Sequence, residues 1–288
     1  MTGEKRMIGR KVKTGLAAAA LVMAALLLGG CVSKPSDSEK EQKITVSGST
    51  TVLPIAQAAA EAYMRNNSKA DITVSGGGSG AGITAIGQGT VDIGMSSREL
   101  KATEISQYPD LVVTTVAKDA LIMIVNPGNG LNSINLTTVR GIYNGTIRNW
   151  KDIGGSNLAI VVVGRDSASG TRGYFQEYVM KNENSTSSML EKNSNGAVKE
   201  TVAQTPGAIG YVGLGYHTGG VKALKLDVNG TLVEGSAATV LNKSYPASRD
   251  LFMITKGAPK GLAKSYIDFI LSPAGQKIVQ EQDFVPLK

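Results

Sequence analysis

Short apolar runs along the chain alternate with Gly/Ser-rich turns and with longer stretches whose apolar positions recur at helical spacing. Ile44-Thr45-Val46 and Ile72-Thr73-Val74 are β-branched runs and predict strands. Residues 53–64 predict an Ala-rich helix, and Ile83-Thr84-Ala85-Ile86 begins another apolar helical turn. Val91-Asp92-Ile93-Gly94 predicts a third short strand. Leu121-Ile122-Met123-Ile124-Val125 is apolar without a break, as a strand covered on both faces should be, and the turn Asn126-Pro127-Gly128 closes it. A second unit, about 131–241, carries its own buried strand at 160–163 and a helix at 171–180. Residues 248–255 predict a further apolar strand and 262–271 an amphipathic helix. Alternation of this kind predicts an α/β fold, with helices on a mostly parallel sheet and two lobes.

The first thirty residues obey a different pattern. Lys5, Arg6, Arg10, Lys11 and Lys13 form a basic start, and residues 16–28 are thirteen positions without a charge. That run is shorter than the roughly 20 residues of a spanning helix and fits the core of a signal peptide. It leads into Leu28-Gly29-Gly30-Cys31, where small residues precede a cysteine, the pattern of a lipoprotein signal at residues 1–30. Cys31 is the expected lipidation site, and the Ser/Lys/Glu-rich stretch 31–43 is the expected flexible tether. The chain is thus expected outside the cytoplasmic membrane, held to it by lipid, at the cell surface or in the periplasm. Removing residues 1–30 takes away five basic and one acidic side chain and lowers the net charge from +7 to +3. No Lys/Arg run remains to mark a nucleic-acid face.

Composition narrows the chemistry. One Cys, already assigned to lipidation, excludes a disulfide framework and a Cys-rich zinc module. One His leaves little from which to build a Ser-His-Asp triad or a His-based metal site, so no cofactor, metal or hydrolytic activity is expected.

The chemistry that remains lies in three turns, each leading from a strand to a helix. They are Ser47-Gly48-Ser49-Thr50-Thr51, Ser75-Gly76-Gly77-Gly78-Ser79-Gly80 and Gly164-Arg165-Asp166-Ser167-Ala168-Ser169-Gly170-Thr171. Glycine lets the backbone turn tightly and approach a ligand, and Ser or Thr supplies a hydroxyl. The helix that follows presents unpaired N–H groups and the positive end of its dipole. Three such ends brought together would bind a compact oxyanion, and Arg165 offers a two-pronged contact. Each turn is also a plain N-cap, and Arg165 beside Asp166 is also a plain surface ion pair; the sequence leaves these readings open. Neither nucleotide loop, GxxxxGK[ST] or GxGxxG, is present. Trp150 and Tyr143 read as packing residues, His217 as a loop residue, Asp92 as a structural acceptor, and Arg98 as either a cleft or a surface residue.

An ordered set of segments resembles the phosphate-binding subunits of phosphate-specific ABC transporters. The set includes Gly48-Ser49-Thr50-Thr51-Val52-Leu53-Pro54, Gly76-Gly77-Gly78-Ser79-Gly80-Ala81-Gly82 and Asp92-Ile93-Gly94-Met95-Ser96-Ser97-Arg98. It continues through Ile142-Tyr143-Asn144-Gly145, Asn149-Trp150, residues 164–172, Thr205-Pro206-Gly207-Ala208-Ile209-Gly210-Tyr211, Ser272-Pro273-Ala274-Gly275-Gln276 and Phe284-Val285-Pro286-Leu287. The resemblance implies a two-lobed periplasmic-binding-protein fold (type II) whose chain crosses twice between lobes. Lobe 1 would hold residues 44–120 and 247–288, and lobe 2 residues 121–246. It also implies capture of inorganic phosphate in the cleft by a monomer, and delivery to the permease and ATPase subunits of an ABC importer. Carried over position by position, the phosphate ligands are the Thr50 hydroxyl, the Thr51 N–H, Ser79, Ser97, Arg165, Ser169, the Gly170 N–H and Thr171. Position 97 departs from the family, whose familiar members place a carboxylate there to accept the proton of hydrogen phosphate and repel sulfate. Ser97 has no such charge, which leaves Asp166, another carboxylate or a water as the acceptor, and sulfate, molybdate or tungstate as alternative ligands. A tethered phosphate sensor or adhesin is the alternative outside transport.

Overall fold

The computed structural model describes residues 42–287. The expected signal peptide, Cys31 and most of the tether lie outside them; Gln42 and Lys43 already belong to the first strand. The elements run β1 (Gln42–Gly48), α1 (Leu53–Asn66), β2 (Ala70–Ser75), α2 (Ser79–Gly87), β3 (Ile93–Ser96), α3 (Ala102–Gln107) and β4 (Leu111–Val125). Then come β5 (Ser133–Ile134), α4 (Leu136–Tyr143), β6 (Val161–Arg165), α5 (Gly170–Tyr178), β7 (Leu190–Lys192), α6 (Asn195–Gln204) and β8 (Ala208–Gly213). The chain ends with β9 (Lys222–Ala223), β10 (Lys225–Val228), β11 (Thr231–Val233), α7 (Ala237–Leu241), β12 (Ser248–Lys256), α8 (Gly261–Leu271) and α9 (Pro273–Glu281).

One sheet runs through the molecule in the order β2-β1-β3-β12-β4-β8-β6-β7, with β9 also on β4. Its two ends are parallel, as expected for strands separated by crossover helices. The strands joining them are not: β12 is antiparallel to β3 and β4, and β8 and β9 are antiparallel to β4. The expectation of a mostly parallel sheet therefore holds only away from the centre. The long strand β4 explains the join. Its first part, up to Ala120, pairs with β12, and from Leu121 onward it pairs with β8. Only 121–125 is continuously apolar, so the half-exposed first part of β4 is absent from the hydropathy pattern.

The apolar side chains collect on both sides of that changeover. One group, with Ile55, Ala56, Met95, Val116, Leu251 and Tyr266 among its members, draws on residues 44–117 and 251–284. Another, with Ile124, Tyr143, Trp150, Phe175 and Tyr211, draws on residues 120–247 and takes Val285 from the C-terminal tail. Two cores joined by strands rather than by packed helices make a two-lobed molecule. Small residues at Ala56, Ala59 and Ala60 let α1 approach its sheet closely, and the Tyr266 hydroxyl of α8 donates to the Ala56 carbonyl at 2.6 Å. Tyr143 and Trp150 are buried packing residues: the Tyr143 hydroxyl donates to the Val163 carbonyl and Trp150 Nε1 to the Gly207 carbonyl. Asp92 lies just before β3, not within it, and accepts from the Thr45 N–H and hydroxyl at 2.7 and 3.0 Å.

Candidate anion site

All three Ser/Gly turns meet at one place. Gly78 N–H donates to the Gly48 carbonyl, joining the first two turns, and Gly80 N–H donates to the Ala168 carbonyl, joining the second to the third, both at 2.9 Å. The Thr51 and Thr171 hydroxyls lie 3.0 Å apart, closing the first turn on the third. The first two turns adjoin the core drawn from residues 44–117 and 251–284, and the third adjoins the core drawn from 120–247, so these contacts bridge the two cores. Close backbone approach explains the glycines. Gly48 and Gly78 take φ of +139° and +95°, and a Cβ on Gly78 would lie 2.7 Å from the Ala168 carbonyl oxygen.

The fold buries every expected ligand residue: Thr50, Thr51, Ser79, Ser97, Arg165, Ser169, Gly170 and Thr171. Ser79 opens α2 and Gly170 opens α5, so both helix N-termini point into the junction. The Ser169 hydroxyl caps α5 by accepting from the Arg172 N–H at 3.1 Å, and its own proton remains available to a ligand. Ser97 contributes its N–H to the Ser79 hydroxyl at 3.1 Å, and the two hydroxyls are 3.4 Å apart. The Thr51 N–H, expected to face the ligand, donates instead to the Ser49 hydroxyl at 3.2 Å, because the turn folds back on its own side chain.

Arg165 is 1% exposed. Its Nε and one Nη donate to the carbonyls of Lys192 and Asn193, and among the described residues no carboxylate lies within ion-pair distance of it. Burial lowers its pKa, Asp166 opposes that, and Arg249 adds to it. The guanidinium stays charged from so high a starting point. Asp166 keeps its Oδ1 buried and without a hydrogen-bond partner.

Four residues complete the junction and were not expected from the sequence. Asn195, the first residue of α6, donates from Nδ2 to the hydroxyls of Thr50 and Thr51 at 3.2 and 3.0 Å. The Tyr216 hydroxyl donates to the Thr50 carbonyl at 2.7 Å, and burial pushes its pKa up to about 12. Arg249 of β12 and Asp119 of β4 face each other in register and form a buried ion pair, Arg249 Nη2 and Nε lying 2.8 and 2.9 Å from Asp119 Oδ2. The only sequence trace of this pair is a charge at the edge of each of two apolar strands. Asn195 carries no sequence signal beyond its place after Ser194, the N-cap of α6. Arg98 is not at the surface: its largely buried side chain pairs with Glu104 through two contacts of 2.8 and 2.7 Å. His217 is a loop residue after a short 3-10 turn, with its ring against the Leu214 carbonyl.

Two lobes meeting at buried hydroxyls, helix N-termini and an Arg without a contacting carboxylate define a binding protein for a small oxyanion. Residues 33–274 match the model of the PBP superfamily domain. The chain is 36% identical to the phosphate-binding protein PstS of Bacillus subtilis strain 168, with 94% of this chain and 92% of that one aligned. It is 34% identical to PstS of Borreliella burgdorferi, over 93% and 96% of the two chains. Among solved structures, a Clostridium perfringens protein described as a phosphate ABC transporter substrate-binding protein with bound phosphate matches with a TM-score of 0.81 at 37% identity. That match covers 86% of this chain and all of the other. An ABC-type phosphate transport receptor from Vibrio cholerae matches at 0.68 and 31% identity, over 84% and 99%. The chain belongs to the PBP superfamily and, within it, to the family of phosphate-binding proteins PstS.

Proposed function

We propose that the chain captures inorganic phosphate between its lobes and delivers it to an ABC permease for import. The observation that carries this is an imbalance of buried charge: of the two buried guanidiniums, Arg249 contacts a carboxylate, Asp119, and Arg165 contacts none. A buried cation without an acid needs an anion, and one ringed by hydroxyls and helix ends needs an oxyanion. The relatives' names and the solved phosphate complex support phosphate over sulfate, molybdate or tungstate, and transport over a sensor or adhesin. Thr50, Ser79, Ser97, Arg165, Ser169, Gly170 and Thr171 are the proposed ligands; the Thr51 side chain orients Thr171. The two cores support lobe boundaries at 44–120 with 247–288, and at 121–246.

The anion docks on one lobe, and the donors of the other complete its shell. A ligand drives closure only through contacts it makes better in the closed form. No bond is made or broken. We place the chain outside the cytoplasmic membrane as a monomer, lipidated at Cys31. Among the described residues no helix is long and apolar enough to cross a membrane.

Calorimetric titration of the ligand-stripped protein with phosphate tests the reading, and absence of phosphate heat overturns it. Sulfate titration tests position 97. With no carboxylate there, sulfate should bind measurably, though more weakly than phosphate. Ser97→Asp should remove sulfate binding while phosphate, carrying a proton for the new carboxylate, still binds. A wild type that rejects sulfate would assign proton sensing to another acceptor, and Asp166→Asn would then show whether its unpartnered Oδ1 is the one.

A further inference from the structure

We propose that the buried Arg249–Asp119 pair on the two crossing strands sets the direction of the hydroxyl hydrogen bonds at the anion site, making Arg249 a positioning residue that turns Thr171 into an obligate donor to the ligand. The inference rests on the phosphate reading of the site.

Counting protons gives the direction. One Nη2 hydrogen of Arg249 goes to Asp119 Oδ2 at 2.8 Å; the other is shared between Thr171 Oγ1 at 3.0 Å and Thr51 Oγ1 at 3.4 Å. Asn195 Nδ2 also donates to Thr51 Oγ1 at 3.0 Å, and its amide is oriented by the Gly213 N–H on Oδ1 at 3.3 Å. Thr51 Oγ1 thus receives two donors, and a hydroxyl oxygen accepts no more than two. Running the 3.0 Å contact from Thr51 to Thr171 spares Thr51 a third incoming hydrogen, since it already takes the Asn195 hydrogen and the longer share of the Arg249 one. Thr171 Oγ1 now receives Thr51 and Arg249, so its own proton points away from both. It makes no other hydrogen bond among the described residues. The remaining acceptor is the anion.

Arg249 is anchored through Nε and Nη2, while its Nη1 is buried without a hydrogen-bond partner. Asp119 Oδ2 takes two of its N–H groups, and Asp119 Oδ1 accepts the Leu214 N–H at 2.8 Å. The ring of Tyr174, one turn beyond Thr171 on α5, lies 5.5 Å from the guanidinium carbon, and its hydroxyl donates to the Ser248 carbonyl at 2.8 Å. The strand position of Arg249 matters as much as its charge. It stands where β4 changes partner between lobes, and its one shared hydrogen reaches a hydroxyl from each. The directed state therefore exists only when the lobes are closed. Opening removes the Thr51–Thr171 contact and leaves both hydroxyls free to turn.

The test is a double-mutant cycle on phosphate affinity, read by calorimetry on the full chain. Arg249→Lys keeps a cation for Asp119 but loses the planar fork, and Thr171→Val removes the directed hydroxyl with little change in shape. Each single variant should weaken phosphate by about tenfold or more, as loss of one hydrogen bond to a charged group predicts. The double variant should be no more than about threefold weaker than the weaker single, because both changes break the same contact. Thr171→Ser should restore affinity in the Arg249 background, and thermal melting of the unliganded variants reports their folding. Losses that multiply in the double variant, or wild-type affinity in Arg249→Lys, overturn the inference while the phosphate reading stands. A wild-type protein that gives no phosphate heat overturns both.

Discussion

Arg165→Ala is expected to abolish phosphate binding while the lobes stay folded. Arg165 is buried, charged and without a contacting carboxylate, with only Asp166 nearby to oppose its burial, so on the proposed reading the ligand completes its counter-charge. A hydrogen bond to a charged group contributes roughly 1.5–3 kcal/mol net, and a two-pronged contact makes two. The affinity loss should therefore be at least about a hundredfold. The unliganded variant is expected to melt close to the wild type, because two effects oppose each other. The Lys192 and Asn193 carbonyls lose their donor, and an incompletely compensated buried charge disappears. Thermal melting separates the two states cleanly. Wild type at a hundredfold excess of phosphate over Kd gains about 2.7 kcal/mol of stability, and the variant should gain none. A variant that still shifts its melting point with phosphate would remove Arg165 from the site.

Gly170→Ala should be nearly as damaging, by geometry alone. A Cβ on Gly170 would lie 2.1 Å from Ser79 Oγ, 2.8 Å from Ser79 Cβ and 2.7 Å from Ser97 Oγ. The Ser hydroxyls can rotate away, but Ser79 Cβ cannot, since the first turn of α2 fixes it. Gly170 and Ser79 sit on opposite lobes, so the added methyl acts as a wedge between them. The cheapest relief is incomplete closure, which pulls the helix ends and hydroxyls off the anion. Phosphate affinity should fall by a hundredfold or so, as a loss of about 3 kcal/mol implies. Stability without ligand should change little, because alanine suits the first turn of a helix at least as well as glycine. Small-angle scattering should show the variant remaining open with phosphate present. Wild-type affinity would mean that the closed geometry described here is not the binding geometry.

Both predictions fall on residues visible in the sequence, and the reason is local. A Gly/Ser turn between a strand and a helix depends on backbone freedom and on side chains a few positions apart. Ser49-Thr50-Thr51, Gly78-Ser79 and Ser169-Gly170-Thr171 could accordingly be read from residue type and spacing. Their convergence could not. It depends on β4 leaving β12 at Ala120 and joining β8 at Leu121, which brings turns more than a hundred positions apart to within 3.0 Å at Thr51 and Thr171. The first part of β4 is not legible in the sequence for a related cause: it is half-exposed, so no continuous apolar run marks it. One polar residue beside apolar ones fits a strand pattern and predicts Asp92 within it, whereas Asp92 stands just outside β3 and holds Thr45.

Asn195, Asp119 and Arg249 show where sequence reading stops. Each is polar in a segment that otherwise reads as cap or core, and none has a local partner that would explain it. The Arg249–Asp119 pair spans 130 residues, and Asn195 reaches Thr51 across 144. From the chain alone one can infer the element types, the α/β class, the ligand chemistry of the turns and the likeness to a phosphate-binding family, because these depend on short-range periodicity and residue type. Tertiary structure decided which turns meet, which N–H groups are already taken and which buried cation lacks an acid. Those outcomes depend on strand pairing and lobe closure, which bring together groups whose separation along the chain carries no information about their separation in space.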